Sequence, residues 1–227
     1  MNKVRELVYK LMYANENGHG NDHIERVYRL AIHFAKTENA DQTIVELASL
    51  LHDVDDYKIV GIDKSLDLSN AKTIMNVADI DKFTQQKVLE IISSMGYSKL
   101  LRGIRPKSLE GAIVSDADMC DAIGANGLLR VYSYSSANGK PFFDRTIFPA
   151  EDISAEQYTK KCADSSVCHI FEKILKLKAF MITESGKQEA IIRHQVTIDF
   201  LRQLFTEENA PEWIAYLETY LNIHKVV

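Results

Sequence analysis

The stretch ELASLLHDVDDYK, residues 46–58, brings together side chains that are suited to metal chemistry. It is apolar up to Leu51, and four side chains of the kind that bind metals follow: His52, Asp53, Asp55 and Asp56. A carboxylate at the end of an apolar helix face is costly to bury unless a cation offsets its charge. Lys58 is the obvious base nearby. A divalent ion bound by His52 and Asp53 together therefore accounts for the cluster.

His23 is a further candidate ligand. It lies four residues before Val27 on the apolar stripe of a predicted helix, so it faces inward. His52 continues a core stripe through Ala48, whereas Asp53 points about 100° further round the helix axis. His52 and Asp53 can converge on one ion if the helix unwinds at that point. An inward histidine on its own is more often a satisfied core residue than a ligand, and that alternative stands for His23.

A second acidic centre lies in LEGAIVSDADMCDAIGANGLLRV, residues 109–131. The segment is apolar on nearly every side, which predicts a buried helix. It nevertheless carries three carboxylates: Asp116, Asp118 and Asp121. Asp116 and Asp118 both have apolar neighbours on their own helix faces, so periodicity leaves either as the group that needs a cation. Three glycines of the segment indicate close helix packing or plain tolerance of glycine: Gly111, Gly124 and Gly127.

The elements that must position these side chains are predicted to be helices. Apolar residues recur at spacings of three and four, and no alternating strand pattern is convincing. Helices are expected near residues 3–15, 22–38, 41–54, 68–78, 81–95, 107–134, 155–180, 184–206 and 211–222. The conspicuous non-helical stretch is SANGKPFFDRTIFPAEDIS, which is long enough to be a lid or a connector. A surface excursion between two halves of a helical bundle is the alternative.

Composition is that of an ordinary globular protein. The 227 residues are 46% hydrophobic and 26% charged, and the net charge is −5 without a basic tail. A nucleic-acid polymer is therefore not expected as a partner. There is no signal-peptide pattern and no 18-residue apolar run, so a cytoplasmic protein without a membrane partner is expected. Cys120, Cys162 and Cys168 lack metal-site spacing and are interpreted as reduced thiols.

Three segments carry a resemblance to a known family. HIERV, LLHDVDDYK and DADMCDAIGANGLLR follow one another in this order. Together they resemble the HD-domain metal-dependent phosphohydrolase superfamily, which has an H…HD…D ligand order. The match covers about residues 19–132, and HIFEKILKLKAFMITESGKQEAIIRHQVTIDFL is similar to the C-terminal helical part of a compact bacterial branch. The resemblance implies one all-α domain over residues 1–227, an HD-domain helical bundle with an additional C-terminal helical part at about 153–222.

The resemblance also implies roles for individual residues. One divalent metal ion is expected to be bound by His23, His52, Asp53 and Asp118. Asp118 is preferred because it is the second aspartate of DAD. Asp56 occupies a position where many members of the superfamily have an acid that handles protons.

Five basic residues are expected near the substrate phosphate. Arg26 and Lys58 match positions that lie there in the superfamily. His169, Lys173 and Lys176 share one face of the predicted helix by their spacing and can complete an anion site. A solvated or partly buried helix face is the alternative for these three.

The chain departs from the branch at two points. Relatives often have a histidine near the end of the helix at 81–95, where this chain has Met95 and Gly96. Relatives also commonly have a basic residue after DAD, where this chain has Met119. Both differences bear on a second metal, on substrate charge and on activity.

The expected function is hydrolysis of a phosphomonoester or pyrophosphate bond in a small phosphorylated metabolite, with a nucleotide as the favoured class. Histidine and carboxylate ligands suit Mn, Fe, Mg or Zn, and such an ion can lower the pKa of a bound water toward neutrality. Arg26 and Lys58 would offset charge on the phosphate oxygens. A metal-binding or nucleotide-binding sensor with weak turnover is the alternative, and a helical interaction protein without a ligand is the third. The oligomeric state stays open.

Overall fold

The computed structural model of the protein describes residues 1–13, 20–150 and 163–224, apart from the side chains of Lys58, Ile62 and Lys64. All regular secondary structure within these ranges is helical, so the all-α prediction is confirmed. None of the helices in these ranges is long and apolar enough to cross a membrane. The chain folds as two compact units, 1–118 and 119–227. The expected single domain over 1–227 stays a proposal.

The first unit contains eight helices and most of a ninth within the residues that the structure describes. They are α1 (Asn2–Met12), α2 (Asn21–Thr37), α3 (Gln42–Leu51), α4 (Tyr57–Val60), α5 (Ile62–Ser65), α6 (Ser69–Val77), α7 (Lys82–Ser93), α8 (Tyr97–Leu101) and α9 (Leu109–Asp121). The short helices α4, α5 and α8 were not predicted, because four or five residues carry too little periodicity to indicate a helix.

Helix α3 is the centre of the first unit. It packs against α1, α2 and α7, and its residues from Leu47 to Leu51 are buried on every side. The Asp41 carboxylate begins the helix by accepting hydrogen bonds from the backbone N–H groups of Thr43 and Ile44. Each leucine buried here stabilises the fold by roughly 1.5–3 kcal/mol. The C-terminal end of α3 is therefore held rigidly inside the unit.

The second unit is built from α10 (Gly124–Ala137), α11 (Ser166–Glu172), a 3-10 helix (Ile174–Phe180), α12 (Glu184–Glu207) and α13 (Pro211–Ile223). Its core contains fully buried Trp213, whose indole N–H donates to the Arg145 carbonyl at 3.2 Å. Phe143 and Phe148 pack on this ring with centroids 5.1 and 4.6 Å away. The described part of the predicted loop is thus anchored in this core, and its residues 151–154 lie outside the described ranges.

Two predicted helices are wrong because each divides in two. The helix expected at 107–134 stops at Asp121, since Gly124 has a φ of +75°, which favours glycine over any other residue. A β-carbon on Gly127 would lie 2.2 Å from the Ala122 carbonyl oxygen, so glycine is also required one turn later. The described part of the helix expected at 155–180 breaks at Lys173, whose φ is −131°.

Packing explains the remaining glycine of this region. A β-carbon on Gly111 would lie 2.6 Å from the Pro106 β-carbon and 3.2 Å from Ile91 of α7. Glycine therefore permits a close approach at this point, and the packing interpretation is confirmed. Cys120 and Cys168 are buried and form no disulfide among the described residues, whereas Cys162 lies outside them.

Candidate metal centre

The first turn of α2 is fastened to α1, and this places His23. The Asn21 side-chain amide donates to the Tyr9 carbonyl at 3.0 Å. Arg5 donates to the Glu25 carboxylate at 2.9 Å, and the Tyr9 hydroxyl donates to the same carboxylate. His23 itself is 1% exposed on the buried face of α2. Its imidazole is therefore delivered into the interior from a helix start that cannot rotate freely.

The end of α3 places His52 and Asp53. The helix stops at Leu51, and residues 52–55 form turns. This unwinding brings together two adjacent side chains that would point about 100° apart on a regular helix. The His52 Nε2 atom lies 3.5 Å from the Asp53 carboxylate as a result.

Four side chains from three helical segments converge at this point. His23 Nε2 lies 3.3 Å from the Asp53 carboxylate, 3.4 Å from the Asp118 carboxylate and 3.2 Å from His52 Nε2. His52 Nε2 lies 3.9 Å from Asp118 Oδ1. The ligand atoms of His23, His52 and Asp118 all lie within 4.8 Å of one another. The Asp53 carboxylate also lies near this group, 3.3 Å from His23 Nε2 and 3.5 Å from His52 Nε2.

The separations among His23, His52 and Asp118 fit one ion bound by these three side chains, and the Asp53 carboxylate lies within 3.5 Å of both histidines. An ion about 2.1 Å from each ligand atom holds neighbouring ligands roughly 3.0–3.4 Å apart in octahedral or tetrahedral geometry. The measured separations of 3.2–3.9 Å need only a small contraction. Two imidazoles and two carboxylates form a mixed N and O donor set that suits a borderline or hard divalent cation.

The backbone prepares His52 to act as a ligand. Its Nδ1 atom lies 2.8 Å from the Ser49 carbonyl oxygen, which can only accept a hydrogen bond, so Nδ1 carries the proton. In the neutral ring Nε2 then keeps its lone pair and points it into the cluster. This backbone contact is the outer hydrogen bond that metal-binding histidines characteristically make.

Charge at the site favours a carboxylate anion at Asp118. Burial by itself would raise the pKa of this carboxyl group. The hydrogen bond from His23 and the electrostatic influence of the His52 and His23 rings outweigh burial, so the pKa of Asp118 lies well below its usual range. Asp118 is therefore ionised at neutral pH, which is the form that binds a cation.

The remaining acids near His52 have different surroundings. Both Asp55 carboxylate oxygens accept backbone hydrogen bonds, from Asn70 N at 3.0 Å and Ala71 N at 2.9 Å. Asp55 thus caps the first turn of α6. Asp56 is half-buried, and its charge acts on Lys99 of α8. Burial lowers the pKa of Lys99, and the Asp56 carboxylate opposes that shift.

Lys99 was not identified from the sequence. It is half-buried, and its ammonium donates to the Ser93 carbonyl at 2.6 Å. It lies in a helix of five residues, where the pattern of apolar residues carries no usable signal.

The structure also separates the three acids of α9. Within the described residues the metal-type cluster contains Asp118, whereas fully buried Asp116 is not part of it. Asp121 is 1% exposed and forms an ion pair with Arg130 of α10 at 3.1 Å. The alternative that periodicity left open between Asp116 and Asp118 therefore becomes a clear geometric preference for Asp118.

The expected phosphate-binding residues are only partly located. Arg26 follows His23 by three residues on α2 and is half-buried. The Lys58 side chain lies outside what the structure describes. His169 lies in α11 and Lys176 in the 3-10 helix, so the shared face of one continuous helix that the spacing assumed is not formed.

The chain is similar to proteins of a known family and to several solved structures. The HD-domain family model matches residues 21–123, which contain all four clustered side chains. YpgQ of Bacillus subtilis is 32% identical over 205 residues, covering 89% of this chain and 90% of YpgQ. A crystal structure of YpgQ in complex with ADP has a TM-score of 0.71 at 29% identity, over 91% of this chain and 96% of that one.

Two further solved structures share the fold. A protein of Lactobacillus plantarum has a TM-score of 0.80 at 34% identity, over 92% of this chain and 96% of its own. An HD-superfamily hydrolase of Bacillus thuringiensis has a TM-score of 0.71 at 32% identity, over 92% of this chain and 96% of its own. The similarity therefore extends over both compact units of the chain.

Proposed function

The chain belongs to the HD-domain superfamily, and we propose that it is a metal-dependent phosphohydrolase acting on a small phosphorylated metabolite, with a nucleotide as the favoured substrate class. The observation that carries the proposal is the convergence of Asp53 and Asp118 on His23 and His52, with separations of 3.2–3.9 Å between the imidazole nitrogens and from these nitrogens to the carboxylates. An interior packed for stability alone would not collect two carboxylates and two imidazoles at one point.

The four clustered residues would hold one divalent ion, Mn, Fe, Mg or Zn. When bound, such an ion supplies a water of lowered pKa and a Lewis acid for a phosphate oxygen. Arg26 would hold a phosphate oxygen by its guanidinium from the same helix that carries His23. Lys58 would be a second cation at the phosphate. Asp56 would move the proton, either from the attacking water or to the leaving oxygen.

A nucleotide is favoured because YpgQ of Bacillus subtilis was crystallised in complex with ADP and is 32% identical to this chain over most of its length. The bond that is cleaved is proposed as phosphomonoester or pyrophosphate. The proposed roles of His169, Lys173 and Lys176 in substrate binding rest on the resemblance alone. The net charge of −5 is unfavourable for binding a nucleic-acid polymer, and a cytoplasmic location stays part of the proposal.

A metal- or nucleotide-binding sensor with weak turnover is the second candidate. Met95 favours it, because this 8% exposed thioether stands where relatives often have a histidine. A thioether cannot donate a hydrogen bond to phosphate or bind a hard ion well.

The deciding experiment measures metal content first and turnover second. Protein purified without added metal is analysed by elemental mass spectrometry, then assayed with a nucleotide panel under Mn, Mg, Fe and Zn while phosphate and pyrophosphate are separated. His23→Ala should lose the metal and turnover, whereas His33→Ala, an exposed histidine on the same helix, should keep both. Stoichiometric metal with nucleotide binding and no product would favour the sensor. Absence of metal from the wild-type protein would refute the hydrolase, and absence of both metal and nucleotide binding would also refute the sensor.

A further inference from the structure

A cavity of about 680 Å³ lies in the first unit, at the opposite end of two helices from the metal centre. The α3–α7 cavity is defined here by its lining residues Ile44, Lys87, Glu90, Ile104, Lys107 and Glu110. Ile44 precedes His52 by eight residues, and Glu110 precedes Asp118 by eight, so roughly 12 Å of helix separates the cavity from these two ligands. Its volume is that of a small-molecule site. The cavity is therefore distinct from the metal centre and large enough for a nucleotide.

Two lysines of the cavity are available to an anion. Lys87 and Lys107 are exposed, and neither forms an ion pair with any residue that the structure describes. Lys87 Nζ lies 4.5 Å from the centroid of the Phe83 ring, and this contact leaves its N–H donors available. Arg105 adds a third positive charge to the wall. Cations gathered around a concave surface focus their potential into it, which favours an anionic ligand.

The two carboxylates of the cavity are each held by an N–H donor. Glu90 Oε1 accepts from the Gln86 side-chain amide at 2.8 Å, and Glu110 Oε1 accepts from the Asp41 backbone N–H at 3.2 Å. In each carboxylate the other oxygen can accept a hydrogen bond from a hydroxyl or amino group of a ligand. Three cations and two carboxylates give the walls a net charge of +1. The cavity thus suits a ligand that carries both an anionic group and hydroxyl or amino donors.

The cavity also has an apolar wall. Ile44 and Ile91 are buried side chains that line it, and Ile104 is 45% exposed beside them. Small-molecule sites typically combine apolar walls with a few polar groups that fix orientation. Inorganic phosphate would leave this wall in contact with water, whereas a nucleoside would cover it.

We propose that the α3–α7 cavity is a second ligand site that binds a nucleoside phosphate. Lys87 and Lys107 bind its phosphate, the carboxylate of Glu90 accepts from its hydroxyl or amino groups, and its base packs on Ile104. Charge-assisted hydrogen bonds from lysine provide the attraction for the phosphate. The site needs no metal and uses none of the four clustered residues, so it stands apart from the proposed hydrolysis.

Calorimetric titration of the full chain with adenosine monophosphate tests the proposal. EDTA removes divalent ions, and 0.15 M salt screens charges beyond about 8 Å. Wild-type protein should bind with a dissociation constant below about 1 mM, and inorganic phosphate should bind at least about 10-fold more weakly, because it cannot cover the isoleucines. Lys107→Glu should weaken adenosine monophosphate binding at least about 10-fold, because it replaces an attraction for the phosphate with a repulsion.

Arg102→Glu is the matched control. Arg102 is exposed in the same segment but does not line the cavity, so this variant should change the dissociation constant less than about 3-fold. His52→Ala should also stay within about 3-fold, because His52 belongs to the metal centre. Lys87→Glu is the second cavity variant and should behave as Lys107→Glu does. Circular dichroism establishes that each variant is folded.

Three results would overturn the second site. One is a wild-type protein that does not bind adenosine monophosphate at millimolar concentration. Another is binding that survives both Lys107→Glu and Lys87→Glu, or that is lost in His52→Ala, because the nucleotide would then bind elsewhere. The third is equal affinity for adenosine monophosphate and inorganic phosphate, which would mean that the apolar wall does not bind the nucleoside.

Discussion

His52 in the first unit and His194 in the second both have buried side chains, and their surroundings differ completely. The His52 ring has a carbonyl at Nδ1 and lies among carboxylates at Nε2. The His194 ring is 3% exposed, and neither of its nitrogens has a hydrogen-bond partner among the described residues. Its charged neighbour is Lys178, a cation. Burial and this positive charge lower the pKa of His194 to about 4.

The difference shows that burial alone does not make a histidine a metal ligand. At His52, acceptors on both sides orient the ring and attract a cation. At His194, a second positive charge would be repelled and the ring is held neutral. A metal site also requires carboxylates that converge on the imidazole, and at the proposed site Asp53 and Asp118 lie 3.5 and 3.9 Å from His52 Nε2. Four expected outcomes would break or sharpen this contrast.

The largest effect is expected from removing a clustered ligand. His52→Ala or Asp53→Ala should abolish stoichiometric metal and phosphatase activity together, a larger loss than the 10–100-fold that an outer-shell contact typically costs. His194→Ala is the control and should keep its metal. Elemental analysis with a phosphate-release assay measures both quantities. If His52→Ala and Asp53→Ala both kept a stoichiometric metal content, His52 would be no more a metal ligand than His194.

The next effect separates metal binding from proton transfer. Asp56→Asn should keep the metal, keep substrate affinity within a few-fold, and lower kcat by about 10²–10⁴, because the amide cannot exchange the proton. Metal content and steady-state kinetics are measured on the same preparation. Loss of metal would place Asp56 among the ligands. Full activity would instead mean that the proton travels by another group.

A smaller effect is expected from the neutral state of His194. An unfolded histidine takes up a proton near pH 6.5, whereas the folded ring does so only near pH 4. Above pH 6.5 both states are neutral at this residue, so His194 does not lower the free energy of unfolding. As the pH falls from 6.5 toward 4, the unfolded state binds a proton that the folded state does not, and the free energy of unfolding decreases. The loss is about 1.4 kcal/mol per pH unit, on the order of 3 kcal/mol in all.

His194→Leu should therefore lose less stability on acidification than the wild-type protein does. Urea unfolding at pH 7 and pH 4.5 gives the free energy of unfolding for both proteins, and their difference isolates this residue from the other titrating groups. Equal losses in the two proteins would show that the folded His194 ring accepts a proton as readily as the unfolded one.

The smallest effect is expected at Asp55, which lies near the four clustered side chains and caps the first turn of α6. Asp55→Ala should lower the free energy of unfolding by about 2 kcal/mol, because the N–H groups of Asn70 and Ala71 lose their acceptor. Metal content should stay stoichiometric. Asp55→Asn retains one acceptor oxygen and should cost less. If Asp55→Ala lost its metal at unchanged stability, Asp55 would belong with Asp53 and the capping role would be wrong.

The spacing of apolar residues along the sequence was sufficient to predict many of the helices. The apolar spacing predicted the helices that became α2, α3, α7, α12 and α13 within a few residues. It also predicted the inward direction of His23 and His52, since one helix face is a property of adjacent turns. The divisions at Gly124 and Lys173 were missed, because a tight turn between two apolar helices hardly interrupts the periodicity.

Tertiary structure decided which inward faces meet. Asp116 and Asp118 are equivalent by periodicity, and only the packing of α9 beside α2 and the end of α3 brings Asp118 to the histidines. Asp53, Asp55 and Asp56 are near neighbours in the chain, yet each contacts a different distant group. Asp53 lies beside His23, Asp55 caps α6, and the charge of Asp56 acts on Lys99. The orphaned ring of His194 is likewise visible only once its neighbours are in place. Side-chain direction follows from local backbone geometry, whereas charge and coordination depend on groups brought together by long-range packing.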